Sequence, residues 1–297
     1  MSDAGRAVGR KLSGAVPPAL KAQLSKRLKA RVRAFLGIEP WPDLAVRHRL
    51  FRSPEYHSLR AAASPFDIEK PNKPVLERGH QASYLVAKWF AEGGVRSAFH
   101  AGFATGRYLF YLERLGIEAG GVDLPDADTA WVTIPADTLD HATMHRLLRH
   151  DFLTLTEADV RPLWSSGSVD VLFSEATFET MLPWRPRGAS VPGYLELTAD
   201  GRRDLAERRL PESVARLGNW AHNMVFIEPE PAAGGTGDVF AGCARLLPDL
   251  AYAVWGFRPP FDRLFRLSPH HPTRQMLYTF TRDGQLLDAL RAYAAPL

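Results

Sequence analysis

Ser97-Ala-Phe-His-Ala-Gly-Phe-Ala-Thr-Gly-Arg-Tyr108 and, shortly after it, Ile117-Glu-Ala-Gly-Gly-Val-Asp-Leu124 decide how this chain folds. The first stretch begins as a short apolar strand and passes through a turn of small residues, Gly102, Ala104 and Gly106. It then enters a helix from Arg107 to Leu115, with Tyr108, Leu109, Leu112 and Leu115 at helical spacing. A strand, a tight turn and a helix start make a cradle for a negatively charged ligand. The free N–H groups of the first helical turn and the helix dipole point at one spot, and small side chains let a ligand reach the backbone. The second strand ends in Asp123, a carboxylate at the height where the ribose of a nucleoside would lie.

Spacing separates two nucleotide-binding patterns. A dinucleotide fingerprint needs Gly-x-Gly-x-x-Gly, whereas the small residues here fall at 102, 104 and 106, with arginine at 107. The i, i+2, i+4 pattern, with an acid 17 residues after Gly106, resembles motifs I and II of the class I S-adenosylmethionine (SAM)-dependent methyltransferases. The chain departs from the family pattern at two positions: His100 stands where an acid is usual, and Ala104 where the middle glycine is usual. Alanine does not take a positive φ cheaply, so the loop is expected to keep ordinary backbone conformation there. Further on, Arg149-His-Asp-Phe152 resembles the third motif, an acid and apolar pair that flanks adenine. Gly167 to Thr180 is similar to the fourth strand and the helix that follows it. The resemblance covers Val95 to Ser174 by motif, and Asn223 to Arg282 as a pattern of strands and helices.

The resemblance implies a Rossmann-like, doubly wound α/β fold, with a mostly parallel seven-stranded sheet, an antiparallel C-terminal strand and an N-terminal helical extension. It implies SAM as cofactor, held by His100, Gly102, Ala104, Gly106, Asp123, Leu124, Asp151, Phe152 and Ser174. In many relatives the helix before motif I closes over the cofactor, which would turn His80, Gln81 and Tyr84 toward the methyl group. As ordinary helix residues they would instead be a surface His, a surface Gln and a core Tyr. The reaction implied is in-line displacement of a methyl group from a sulfonium, in which the protein mainly aligns donor and acceptor. An alcohol acceptor also needs a base, and His222, just before the fifth strand, is the first candidate, with Glu179 the second.

Composition bounds the rest. With 45% hydrophobic and 24% charged residues, 297 residues bury one large core plus an accessory segment. The reading divides the chain into residues 1–74, a basic amphipathic helix and a helical and loop cover, and residues 75–297, a methyltransferase-like domain with a substrate insertion around 181–220. The single cysteine, Cys243, excludes an internal disulfide and a cysteine-rich zinc site, and points to the cytoplasm. No apolar run is long enough to span a membrane. His141 and His145 are an i, i+4 pair, but position 142 is alanine and not the glutamate of His-Glu-x-x-His, so a solvated helix face is expected and no metal.

The net charge of +4 is unevenly spread. Residues 1–36 hold nine Lys or Arg against the single acid Asp3, which leaves 28 basic and 32 acidic residues in the remainder. That distribution argues against a nucleic-acid groove across the domain. After Pro17-Pro18, Leu20, Leu24, Leu28, Val32, Phe35 and Leu36 share one helical face. The lysines and arginines between them fit a peripheral contact of residues 18–36 with an anionic membrane surface or a phosphate-rich partner; a docking helix on the core or on a second subunit is the preferred reading, because the apolar face lacks the tryptophan common in membrane-surface helices. In the insertion, Arg185, Arg187, Arg202, Arg203, Arg208 and Arg209 suit an anionic-substrate clamp, or simply an exposed helix.

Two methyltransferase subclasses do not match. Ser174-Glu-Ala-Thr177 lacks the Pro-Pro-aromatic signature of DNA amino-methylating enzymes, and Cys243 follows glycine where cytosine-5 enzymes have a Pro-Cys nucleophile. O-methylation of a small polar metabolite, sugar or natural product is the leading expectation. The alternatives are an RNA methyltransferase that uses the basic N-terminal helix, or a SAM-fold scaffold without catalysis. The sequence gives no oligomeric state.

Overall fold

The computed structural model describes residues 49–69, 73–124, 134–175, 177–181, 198–229, 236–257, 275–282, 284–291 and 293–296. The chain divides after Arg47, so the cover elements from Pro54 onward belong with the sheet. The basic helix expected at 18–36 lies outside the described residues.

Helix α1 (Pro54–Ala62) starts where Ser53 Oγ accepts the Tyr56 N–H at 3.1 Å and Pro54 needs no partner for a missing N–H. A 3₁₀ turn (Ser64–Glu69) leads to α2 (Lys73–Glu92), which stops at Gly93-Gly94. Then follow β1 (Ser97–Ala101), α3 (Arg107–Arg114), β2 (Glu118–Asp123), α4 (His141–His145), β3 (Leu147–Arg149), α5 (Glu157–Val160), β4 (Val169–Glu175) and α6 (Phe178–Met181). Helix α7 (Ala199–Asp204) runs through a π turn (Leu205–Arg209) into α8 (Leu210–Gly218). Pro211 explains the widened turn: it offers no N–H to the preceding turn, and the Leu210 N–H reaches five residues back to the Leu205 carbonyl. The chain ends with β5 (Ala221–Pro229), α9 (Thr236–Leu246), β6 (Ala251–Phe257), β7 (Gln275–Thr281), α10 (Gln285–Leu290) and β8 (Ala294–Pro296).

The strands form one sheet in the order β3-β2-β1-β4-β5-β7-β6-β8. Strands β1 to β5 are mutually parallel, and β7 runs antiparallel between β5 and β6. The expected antiparallel C-terminal strand is thus β7. Among the described residues the seven expected strands are present as β1 to β7, and Ala294–Pro296 adds a short antiparallel edge to β6 as an eighth. Three residues carry too little alternation to announce a strand, and Pro296 is tolerated because an edge position leaves its missing N–H unneeded.

Strand alternation sends β1 and β4 side chains to two cores. Phe99, Leu172, Phe226, Phe240 and Phe280 pack on one face. His100 and Phe173 lie on the other, under Phe90 of α2 and Tyr108 of α3. Helix α2 is held at both ends. Near its start, Glu77 accepts from the Tyr56 hydroxyl and from Arg60 Nε at 2.9 Å. Near its end, the Trp89 indole donates to the Leu286 carbonyl at 3.2 Å and the Tyr293 hydroxyl to Glu92 at 2.6 Å.

Candidate functional site

The sheet order reverses at β1: the chain moves outward to β2 and β3, then crosses back to β4 on the other side. In open α/β sheets the carboxyl ends of the two strands at such a point border a crevice that holds ligands. The loop from Ala101 to Arg107 stands there. Gly102 (φ +77°), Ala104 (φ +46°) and Gly106 (φ +81°) all adopt left-handed backbone, so the expectation of ordinary conformation at Ala104 is overturned. Its compensation comes from β2: one Asp123 oxygen accepts the Ala104 N–H at 2.7 Å and the other accepts the Leu124 N–H at 2.8 Å. Phe103 points down onto β2, where a Cβ at Gly121 would stand 3.0 Å from its ring and 2.6 Å from the His100 carbonyl. That contact accounts for the glycine in the middle of a strand.

The turn after β4 covers the loop. Thr177 Oγ1 donates to the Ala101 carbonyl at 3.0 Å, and a Cβ at Gly102 would collide with the Thr177 side chain. Behind this turn Glu228, fully buried near the end of β5, accepts the Phe178 N–H at 3.2 Å and the Ser174 hydroxyl at 3.4 Å. Glu175, the last residue of β4, is half-buried on the opposite face from Ser174. It acts on Tyr108, whose phenol is pushed well above its ordinary range first by burial and then by that carboxylate. Helix α3 begins without a side-chain cap, and Arg107 Nε donates to Ser83 Oγ of α2 at 3.2 Å.

Four expected site residues take other places. His100 is 2% exposed, its ring stacked on Phe173 at 4.3 Å with Tyr108 edge-on, and neither ring nitrogen finds a hydrogen-bond partner among the described residues. Burial, and then the Arg107 charge, hold its pKa down to about 3, so it is a neutral core aromatic between sheet and helices. Tyr84 is fully buried among Phe51, Tyr56 and Tyr111, on the face of α2 that meets the cover and α3. His222 is exposed at the amino end of β5, where Ala221 pairs with Val169 at the start of β4. That is the edge of the sheet remote from the loop, so His222 is no base for chemistry at the crevice. Phe152 is buried against Phe178, at a centroid separation of 5.7 Å, and belongs to the core.

Other expectations fall near the crevice. Leu124 follows directly on Asp123, and Ser174 faces Ala101 across the β1–β4 pair. Asp151 is half-buried and accepts the Leu153 N–H at 2.9 Å. Glu179 lies in α6, just past the end of β4; its side chain lies outside the described residues. His80 is buried in α2, where Nε2 bonds Asp67 at 2.9 Å and Nδ1 bonds the Tyr111 hydroxyl at 3.1 Å, and Gln81 reaches Glu77 at 3.4 Å. Burial, with the charges of Arg107 and Arg60, lowers the His80 pKa to about 4. The neutral ring therefore donates from Nε2 and accepts at Nδ1.

Arg208 is engaged by Asp204 at 2.7 Å and Glu212 at 3.4 Å along one exposed helix face, and Arg203 lies 3.9 Å from Asp200. Such i, i+3 and i, i+4 pairs serve the helix and leave Arg208 already committed; Arg185 and Arg187 lie outside the described residues. His141 and His145 meet edge-on at 4.2 Å, and among the described residues no group of three potential metal ligands exists. Cys243 is buried, its thiol pushed up to about 12 by that burial, and is no nucleophile. Among the described residues no helix is long and apolar enough to cross a membrane. Sequence reasoning missed Thr177, Glu175 and Glu228 as site residues. The signal that was present for the two acids is a carboxylate at the carboxyl end of an otherwise apolar strand.

No protein-family model matches this sequence, and no curated protein matches it. Among solved structures, the chain is similar to magnesium protoporphyrin IX methyltransferase from Synechocystis PCC 6803 with bound SAM, at 11% identity and a TM-score of 0.41, covering 80% of this chain and 96% of that one. It is similar to the O-methyltransferase TomG from Streptomyces achromogenes, in complex with SAM, at 11% identity and a TM-score of 0.40, covering 78% and 91%. A TehB-like SAM-dependent methyltransferase from Corynebacterium glutamicum matches at 16% identity and a TM-score of 0.35, covering 90% and 100%. The fold itself stands on the strand order: five parallel strands in the order 3-2-1-4-5, with β7 reversed between β5 and β6, make this chain a Rossmann-like, mostly parallel α/β fold.

Proposed function

We propose that this protein transfers the methyl group of SAM to a hydroxyl of a small polar acceptor. The observation that carries this reading is the Asp123 carboxylate, bonded to the loop at Ala104 and standing at the crevice where the sheet order reverses. Among the described residues each of its oxygens accepts one bond, which leaves a lone pair on each to which ribose hydroxyls can bond while the loop stays attached. The start of α3 suits the carboxylate at the amino-acid end of the cofactor, because its N-cap is Gly106, which makes no side-chain cap bond to the first-turn N–H groups. When bound, SAM supplies a methyl group already activated by its sulfonium.

This chain's residues then have three tasks. The loop and Asp123 hold the donor, the turn at Thr177 walls the crevice, and a carboxylate at the end of β4 receives the proton of the acceptor hydroxyl. Glu175 suits that last task better than His222, since it ends β4 beside the crevice. Glu179, one turn further on, is the second candidate.

The test is calorimetric titration of the full-length protein with SAM and with its demethylated product, S-adenosylhomocysteine (SAH). Wild-type protein is expected to bind both, and Asp123→Ala to bind at least about tenfold more weakly, roughly 1.4 kcal/mol. Equal affinity in the variant, or no binding by the wild type, overturns the reading.

A further inference from the structure

Glu228 is fully buried at the next-to-last position of β5, two strands away from the glycine loop. Burying a carboxylate is costly, and a residue that only filled space there would be better apolar. What a carboxylate adds is acceptor capacity for several donors at once. Two of those donors are the Phe178 N–H at 3.2 Å and the Ser174 hydroxyl at 3.4 Å, so Glu228 fastens both sides of the turn between β4 and α6. That turn presents Thr177, whose hydroxyl donates to the Ala101 carbonyl at 3.0 Å and whose side chain lies against Gly102. Gly102 in turn donates to the Val122 carbonyl at 2.8 Å, one residue before Asp123. An unbroken series of contacts therefore runs from β5 through the β4 turn to the loop.

We infer that Glu228 is a positioning residue for the cofactor loop: it acts through Thr177 and keeps the loop in the shape that receives the cofactor. The identity of what the loop receives rests on the methyltransferase reading; the mechanical coupling does not.

The experiment compares full-length wild type, Glu228→Ala, Glu228→Gln, Thr177→Val and the double variant Glu228→Ala/Thr177→Val, by SAH titration and by amide hydrogen exchange at Gly102 and Phe178. Glu228→Ala and Thr177→Val are each expected to weaken SAH binding about tenfold and to speed exchange at Gly102. The double variant is expected to be little worse than either single one, because both break the same series. Glu228→Gln keeps an oxygen acceptor and is expected to recover most of the loss. Wild-type affinity and exchange in Glu228→Ala, additive losses in the double variant, or a Gln variant as impaired as the Ala variant would each overturn the inference. Should Glu228→Ala not fold, Thr177→Val decides alone, and unchanged exchange at Gly102 overturns it. If wild-type protein binds no SAH, the methyltransferase reading falls, while faster exchange at Gly102 in Glu228→Ala still upholds the coupling and unchanged exchange refutes it.

Discussion

Asp123 reaches back from the end of β2 to the Ala104 N–H, 2.7 Å away, and so fastens a left-handed alanine into the loop that leaves β1. An alanine in that region costs about 1–2 kcal/mol, while a glycine there would add freedom to the unfolded chain worth about 0.4–1 kcal/mol. Ala104→Gly is therefore expected to stabilise the protein by roughly 0.5–1 kcal/mol. Urea denaturation at neutral pH measures it, and a loss of stability would contradict the backbone assignment.

His100 gives a pH signature. Its pKa falls from 6.5 in the unfolded chain to about 3 in the fold, so as pH drops below about 6.5 the unfolded state takes the proton first. The stabilising contribution of the neutral ring is complete above that value and is lost progressively toward about 3. His80, lowered to about 4, acts in the same direction. His100→Phe retains the stacking on Phe173 and removes two unsatisfied nitrogens, and is expected to stabilise by about 1–2 kcal/mol at pH 7. Between about pH 4 and 6 it should also flatten the slope of stability against pH by up to about 1.4 kcal/mol per unit, one proton's worth. Equal slopes in wild type and variant would refute the argument.

Tyr111→Phe removes the hydroxyl that donates to His80 Nδ1. A buried acceptor left bare costs about 1–3 kcal/mol, so a drop of that size in unfolding free energy is expected.

Gly121→Ala places a methyl group against the His100 carbonyl, a backbone atom within a paired strand, and against the Phe103 ring. Neither neighbour yields easily, and a loss of about 1–3 kcal/mol or more in thermal or urea unfolding is expected.

Glu175→Gln tests the proposed base. Once a screen of hydroxylated small molecules gives an acceptor, SAH release is expected to fall by about 10²–10⁴-fold, with SAH affinity changed by no more than a few-fold. His222→Ala, at the opposite edge of the sheet, is expected to leave the rate near that of the wild type.

The parts of this fold written in short windows of sequence were legible. The apolar run, the small residues and the helical spacing between Ser97 and Leu115 specify β1, the loop and α3, and the acid at 123 falls beside them. What was hidden depends on groups brought together from afar. The conformation of Ala104 is set by a carboxylate on another strand, and Thr177 and Glu228 acquire their relation to Gly102 only through the register of β1, β4 and β5. Of the two readings open for Tyr84, the core tyrosine holds and the cofactor contact does not, because periodicity shows that a helix has an apolar face without showing which neighbour that face meets. His222 is a different case: a residue preceding a parallel strand lies at its amino edge, so chain direction already held the answer.

The fastening of α2 at both ends bears on how a molecule reaches the crevice. With Glu77 tied to Tyr56 and Arg60, Trp89 tied to the Leu286 carbonyl and Glu92 tied to Tyr293, this helix is a fixed jamb and not a door. Whatever enters the crevice therefore meets a standing wall on that side, and any discrimination α2 exerts comes from a shape already in place and not from its own movement.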